Sequence, residues 1–328
     1  MSGNLAREHP AVGPRDAQPR DHLRAVEETE LPPVVRRLAD EYDSRVGERD
    51  RFLWKWIHNL FDAFTLSSVP DEDWEAVKVT KTLLTMYVTV LDDVADRHGD
   101  AETFEQARRL PFAPGAVDPE APGVDAEVVR FAREVWAQIE ARLGTAPRHD
   151  EFAELFAFDL RSVLQAMEYA RLVNDRPAMA NLAGTRHYGP HNMVMFPYAG
   201  IDLMHSPGFD RAELGALRSL LFDLQRMARI GNWLTTWERE LGEDDYSAGV
   251  VVAAVERDVI DPCDDATPAR QAARVREAGV HDEFRQEWRD RYDAALARDV
   301  EVSTVDTARL VRGMRTVMDH HVASHGLK

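Results

Sequence analysis

Two series of oxygen-bearing side chains in this sequence recur at a four-residue step. In LLTMYVTVLDDVAD, Leu84, Val88, Asp92 and Asp96 fall along one face of a helix, with Asp93 beside them. The apolar face therefore runs straight into carboxylates. In LLFDLQRMARIGNWLTTWERELGEDD the same step joins Leu224, Ala228, Asn232, Thr236 and Glu240, and an apolar face turns into an amide, a hydroxyl and a carboxylate. Carboxylates placed where a core stripe should continue cost free energy unless cations compensate them. Hard oxygen donors stacked over two turns suit Mg²⁺, which takes one or two carboxylates and leaves room for phosphate oxygens. A helix running out into solvent also gathers acids. Trp233, Leu234 and Trp237 around the second series argue against a solvated face there.

Composition points the same way. Lys plus Arg is 40 and Asp plus Glu is 58, a net charge of −18. Such a surface argues against sequence-independent binding to nucleic acid or anionic lipid. An anionic substrate then needs a local reversal of the field, and divalent cations held by carboxylates supply one. A single cysteine, Cys263, excludes an intrachain disulfide and disfavours a Cys-based zinc site. The first twenty residues have no apolar signal-peptide core, and no apolar run reaches the length of a membrane span, so the reading is a cytoplasmic protein without stable membrane insertion.

The elements that must position these residues read as helices nearly throughout, and hydrophobic residues at 44% suffice for a substantial core. Residues 1–30 are polar, contain proline and show no periodicity, which predicts a mobile arm; residues 31–328 predict one all-α domain. Helices are predicted from Pro33, over Arg51–Phe64, from the caps Asp71 or Asp73 to about Asp96, and over 125–143, 149–173, 186–204 and 211–242. Three or four more fill 249–326. LPFAPGAVDPEAPG (110–123) and GEDDYSAGV (242–250) are loops. No G-x-G-x-x-G or Walker loop occurs. Two oxygen clusters facing each other across an otherwise apolar bundle suggest a diphosphate ester with a greasy tail.

DDVAD at Asp92–Asp96 resembles the aspartate-rich motif of class I terpene synthases, and NWLTTWERE at Asn232–Glu240 resembles their Asn-x-x-x-(Ser/Thr)-x-x-x-Glu motif. The order and separation also match, and the resemblance spans about residues 50–300. It implies a helical bundle with a central apolar cavity and three Mg²⁺ ions, held by Asp92, Asp93 and Asp96 on one side and by Asn232, Thr236 and Glu240 on the other. It implies a linear isoprenyl diphosphate substrate, ionised by the metals, whose allyl cation cyclises in the cavity. Arg186, 46 residues before Asn232 and flanked by Gly184, Gly189 and Pro190, matches the family's diphosphate sensor beside a helix break. Arg239 matches the basic residue before the last glutamate.

The form of the second motif and the following Asp245–Ser247 are most similar to a bacterial or archaeal group that includes diterpene cyclases, favouring geranylgeranyl over farnesyl diphosphate. Two features depart from the family. The only Arg-Tyr pair, Arg291–Tyr292, comes earlier than the family's C-terminal pair, so that either Arg315 substitutes, the role is lost or the chain ends short of it, and Pro190 stands at the position four past Arg186.

Aromatic faces stabilise cations, so Phe61, Phe64, Tyr87, Phe158, Met193, Phe196 and Trp233 are candidate walls. His320, His321 and His325 receive no role. Relatives of that family often form homodimers, and the sequence marks no interface. The readings weighed beside a diterpene cyclase are a sesquiterpene synthase on farnesyl diphosphate, a chain-elongating prenyltransferase, which lacks its second aspartate-rich motif here, and a non-catalytic acidic helical protein or lapsed cyclase.

Overall fold

Side chains that accept hydrogen bonds set where many of the helices begin. Asp50 accepts from the Phe52 amide at 2.8 Å, Asp125 from Glu127 at 3.0 Å, Asn181 from Gly184 at 2.7 Å and Asp306 from Arg309 at 2.7 Å. Part of the acidic excess thus serves as helix caps. Asp73 occupies the cap position of its helix without a capping bond, and its carboxylate lies 3.6 Å from His205 instead.

The computed structural model describes residues 19–47, 49–97 and 99–324, without the side chains of 19–22, 96 and 97. Among the described residues are fourteen α-helices and no strand. They are α1 (Pro19–Glu28), α2 (Pro33–Arg45), α3 (Arg51–Phe64), α4 (Trp74–Asp92), α5 (Ala101–Ala107), α6 (Ala126–Leu143) and α7 (His149–Asp175) in the first half. The second half holds α8 (Leu182–Tyr188), α9 (Met195–Met204), α10 (Leu214–Gly242), α11 (Gly249–Glu256), α12 (Pro268–Glu277), α13 (Val280–Ala297) and α14 (Thr307–Ala323). None is long and apolar enough to cross a membrane.

The all-α expectation agrees with this architecture, including both loops and the four helices after 249. Two segments differ from expectation. Residues 19–28 of the expected arm form α1, whose Val26 is buried where the helix packs on α3 and α14, and residues 1–18 lie outside the described residues. Its apolar residues are too few to show as a period. The helix predicted over 186–204 is two helices, α8 and α9, joined by a 3₁₀ segment at Gly189–Met193. Pro190 removes a donor there, and Val194 takes a left-handed φ of 57°, rare for a β-branched residue.

Helices α3, α4, α9, α10 and α14 touch in that order and close a ring, because α14 returns to α3. Helices α6, α7 and α13 pack against the outside of that ring. Lys81 lies inside it, fully buried, with Nζ 2.6 Å and 2.8 Å from the two oxygens of Asp202 on α9 and 3.0 Å from Thr65 Oγ1. The Leu66 amide also donates to Asp202, at 3.0 Å, and the rings of Phe61 and Phe64 flank the ammonium at 5.6 Å. This pair ties α4, α9 and the end of α3 at one level. Eleven residues on, three turns and about 16 Å along the same face, stands Asp92.

Removing one partner of a buried, hydrogen-bonded pair strands the other charge. Lys81→Ala should lower unfolding free energy by about 3–5 kcal/mol in urea titration, and the double change Lys81→Met with Asp202→Leu should lower it less. Equal losses would mean that the pair is not coupled.

Candidate active site

α4 ends as an α-helix at Asp92, and residues 93–97 continue as a π turn. Such insertions change the register and recur at functional sites. The four-residue step from Asp92 to Asp96 therefore does not carry the regular helical geometry that the sequence implies. The Asp96 side chain lies outside the described residues, as does His325. Asp93 turns away from its neighbour and is buried. Its oxygens accept from the Tyr42 hydroxyl and from Arg49, whose Nε approaches to 3.0 Å and whose Nη2 closes a second bond. Burial and then the Asp93 charge push the Tyr42 phenol far above its usual range, so it stays a donor. Both oxygens of Asp93 are thus committed inside the protein, contrary to its place in the expected metal set.

The second series sits near the C-terminal end of α10. Thr236 Oγ1 donates to the Asn232 carbonyl at 2.8 Å, which leaves its oxygen free to accept. Glu240 is only 12% exposed and its Oε2 is buried without a partner. The chain then reverses. Asp244 takes a left-handed φ of 59°, the Asp245 amide donates to the Glu240 carbonyl at 2.9 Å, and Asp245 Oδ1 accepts from Ser247.

Electrostatics joins the two series. Burial raises Asp92 to about 6 and Glu240 to about 7. Asp245 pushes both up and Arg229 pulls both down. Asp93 also raises Asp92, while Arg49 lowers it. Arg229 and Asp245 are thus charged neighbours of both Asp92 and Glu240. Arg229 is buried, its Nη1 donates to Asn232 Oδ1 at 2.8 Å, and its guanidinium lies 5.3 Å from the Trp233 ring. Trp233 fits because two glycines face it. A Cβ added at Gly249 would come within 2.6 Å of the indole, and one at Gly189 within 3.2 Å.

Neither Arg229 nor Asp245 stood among the sequence-derived site residues. Arg229 is three before Asn232, hence on its face, and Asp245 is five past Glu240 across the turn. The same-face rule would have found the arginine. The aspartate depends on the reversal at Asp244.

The expected site residues divide accordingly. Asn232, Thr236 and Glu240 follow one another along α10 with Trp233 beside Asn232, and Asp92 ends α4. Arg239 lies at the rim, ion-paired with Glu243 and 3.7 Å from Glu240. Arg186 is linked to Trp233 through the Phe284 ring, which lies 5.8 Å from the indole. It is half exposed, pairs with Glu287 of α13 at 2.9 Å and sits over the Phe284 ring at 5.9 Å. Glu287 also holds Arg291, at 2.9 Å, so Arg186 and the arginine of the Arg-Tyr pair meet through one carboxylate. They lie beside a surface depression of about 520 Å³ lined by Glu283, Gln286, Glu287, Asp290, Arg291 and Ala294. Arg315 is exposed and pairs with Asp319 on its own helix.

Among the aromatic candidates, Tyr87 faces the other side of α4. Its hydroxyl donates to the Ala107 carbonyl at 2.8 Å and its ring packs on Trp136. Phe158 is 58% exposed on α7, so it forms no wall. Phe196 is packed between Arg218 and Phe222, and Phe61 packs on Phe64 and Tyr198.

The donor set fits Mg²⁺. The Glu240 carboxylate, the Thr236 hydroxyl, the Asn232 amide oxygen and the Asp92 carboxylate are hard oxygens, although among the described residues no three acidic, histidine or cysteine side chains are gathered closely enough to hold an ion.

By sequence the chain matches no protein-family model and no curated protein. By structure it is similar to the linalool/nerolidol synthase of Streptomyces clavuligerus, solved with 2-fluorogeranyl diphosphate, at a TM-score of 0.53 and 13% identity. That match covers 89% of this chain and 99% of the synthase. The aristolochene synthase of Penicillium roqueforti aligns at a TM-score of 0.42 and 16% identity, over 88% of this chain and 93% of that one. The chain has the all-α fold of the terpene synthases.

Two predictions separate the neighbouring aspartates and the buried acid. Asp93→Ala strands Arg49 and should destabilise the metal-free protein by about 3 kcal/mol in thermal unfolding, while Asp92→Ala should leave it unchanged or more stable. A larger loss at Asp92 would reverse these roles. Glu240 has a folded pKa raised from 4.5 to about 7, so its burial costs nothing while it is protonated in both states, and the cost grows as pH rises from 4.5 to 7. In EDTA, the stability advantage of Glu240→Gln over the wild type should grow across that window, to at most about 3 kcal/mol, and then level off. A difference independent of pH would show that Glu240 titrates normally.

Proposed function

We propose that this protein is a class I terpene synthase that ionises a linear isoprenyl diphosphate and cyclises the resulting cation. The observation that carries the reading is the Glu240 carboxylate, buried near the end of α10 with an Oε2 that has no hydrogen-bond partner among the described residues, and influenced by the same Arg229 and Asp245 charges as Asp92 of the other series. The shared fold with a synthase solved with 2-fluorogeranyl diphosphate supports it.

The proposed metal set is Asp92, Asn232, Thr236 and Glu240, with Asp96 from the first motif. Asp93 is assigned to anchoring α4 through Arg49 and Tyr42. Mg²⁺, when bound, supplies Lewis-acid activation of the diphosphate leaving group. The protein's own part is positional and electrostatic. Trp233, buried beside the ligands, offers a π face toward developing positive charge and excludes water there. Arg239 at the rim is placed to meet diphosphate oxygens after releasing Glu243. Geranylgeranyl diphosphate is the preferred substrate on the form of the second motif, and the Asp245 that follows it is a charged neighbour of Asp92 and Glu240.

The test is incubation with geranyl, farnesyl and geranylgeranyl diphosphates, with Mg²⁺ or with EDTA, and GC-MS of the extract. A cyclic product from the longest substrate, present only with Mg²⁺, is expected. Asp92→Ala, Asn232→Ala and Glu240→Ala should each cut turnover by at least a hundredfold with the helical CD spectrum intact, about 3 kcal/mol of barrier apiece. Product from farnesyl diphosphate alone would make it a sesquiterpene synthase. No product and no released diphosphate from any substrate would overturn the reading.

A further inference from the structure

Arg229 is a buried cation with too few acceptors. A guanidinium presents five N–H donors in a rigid fork, and an unpaired buried donor is costly. Here Nη1 meets only the neutral amide oxygen of Asn232, at 2.8 Å, and the buried Nε meets no acceptor at all. Arg229 is 8% exposed and stacked on Trp233. The nearby carboxylates, Asp92 and Glu240, feel its charge, and neither is hydrogen-bonded to it.

The fork matches an oxygen pair of a phosphate group. The other arginines that the sequence offers for that role are exposed or half-exposed and already paired, Arg239 with Glu243, Arg186 and Arg291 with Glu287 and Arg315 with Asp319. Asn232 is itself a proposed metal ligand, so its amide oxygen must exchange the Arg229 donor for the metal.

We propose that Arg229 is a diphosphate-binding residue of this site, held by Asn232 until the anion arrives and then turning its fork to the diphosphate oxygens. The inference rests on the terpene synthase reading.

The experiment is isothermal titration calorimetry of inorganic diphosphate into protein saturated with Mg²⁺, for the wild type, Arg229→Ala, Arg229→Lys and Asn232→Ala, each checked by CD. Arg229→Ala should bind at least tenfold more weakly. Arg229→Lys, which keeps the charge and loses the fork, should bind at least threefold more weakly. Losses below these limits, with the wild type binding and Asn232→Ala impaired, would overturn the role of Arg229 and leave the functional reading standing. If Arg229→Ala does not fold, the lysine variant decides by its own limit. A wild type that binds no diphosphate with Mg²⁺ would overturn both.

Discussion

Charge enclosed by a ring of apolar helices must find a counter-charge, and this constraint shapes both levels of the bundle. At one level Lys81 and Asp202 satisfy each other, with Thr65 and the Leu66 amide completing the set. That arrangement closes three elements on one another and exposes nothing. At the other level, three turns along the same face of α4, Asp92 and Glu240 are held up in pKa by burial, and Glu240 keeps an orphan oxygen. The contrast is physical: at the first level each buried charge faces its opposite within 3 Å, and at the second the carboxylates are raised by burial with no ion pair that close among the described residues.

The unsatisfied level is built by devices at helix ends. The π turn after Asp92 separates two adjacent aspartates, leaving one under the charges of Arg229 and Asp245 and the other in the Tyr42–Arg49 pair. The left-handed residue at Asp244 returns Asp245 over the end of α10. The break between α8 and α9 brings Gly189 against Trp233, and Gly249 meets the same indole from α11. Regular helices alone could not make these contacts. Their ends and interruptions do.

The arginines divide by burial. Arg229 is enclosed and under-bonded, whereas Arg186 and Arg291 are solvated and share Glu287. Exposed pairs of that kind are weak and break readily, so they leave those side chains free to turn when an anion approaches. A buried fork without acceptors has no such alternative, which is why the anion-binding role falls most directly on Arg229.

The sequence by itself determined the helical class, most helix limits and the two ligand series, because amphipathic periods and capping residues are local properties. It also placed Asn232, Thr236 and Glu240 on one face, since α10 runs unbroken through them. The tertiary structure decided what no period encodes. It parted Asp92 from Asp93 at a π turn and set Tyr87 against Ala107 and Trp136 instead of beside the aspartates. It left Phe158 in solvent, joined Arg186 to Glu287, and brought Arg229 and Asp245 to the carboxylates. Each of these depends on how helices far apart in the chain dock, and docking is set by summed packing across many side chains, which a single segment's pattern does not contain.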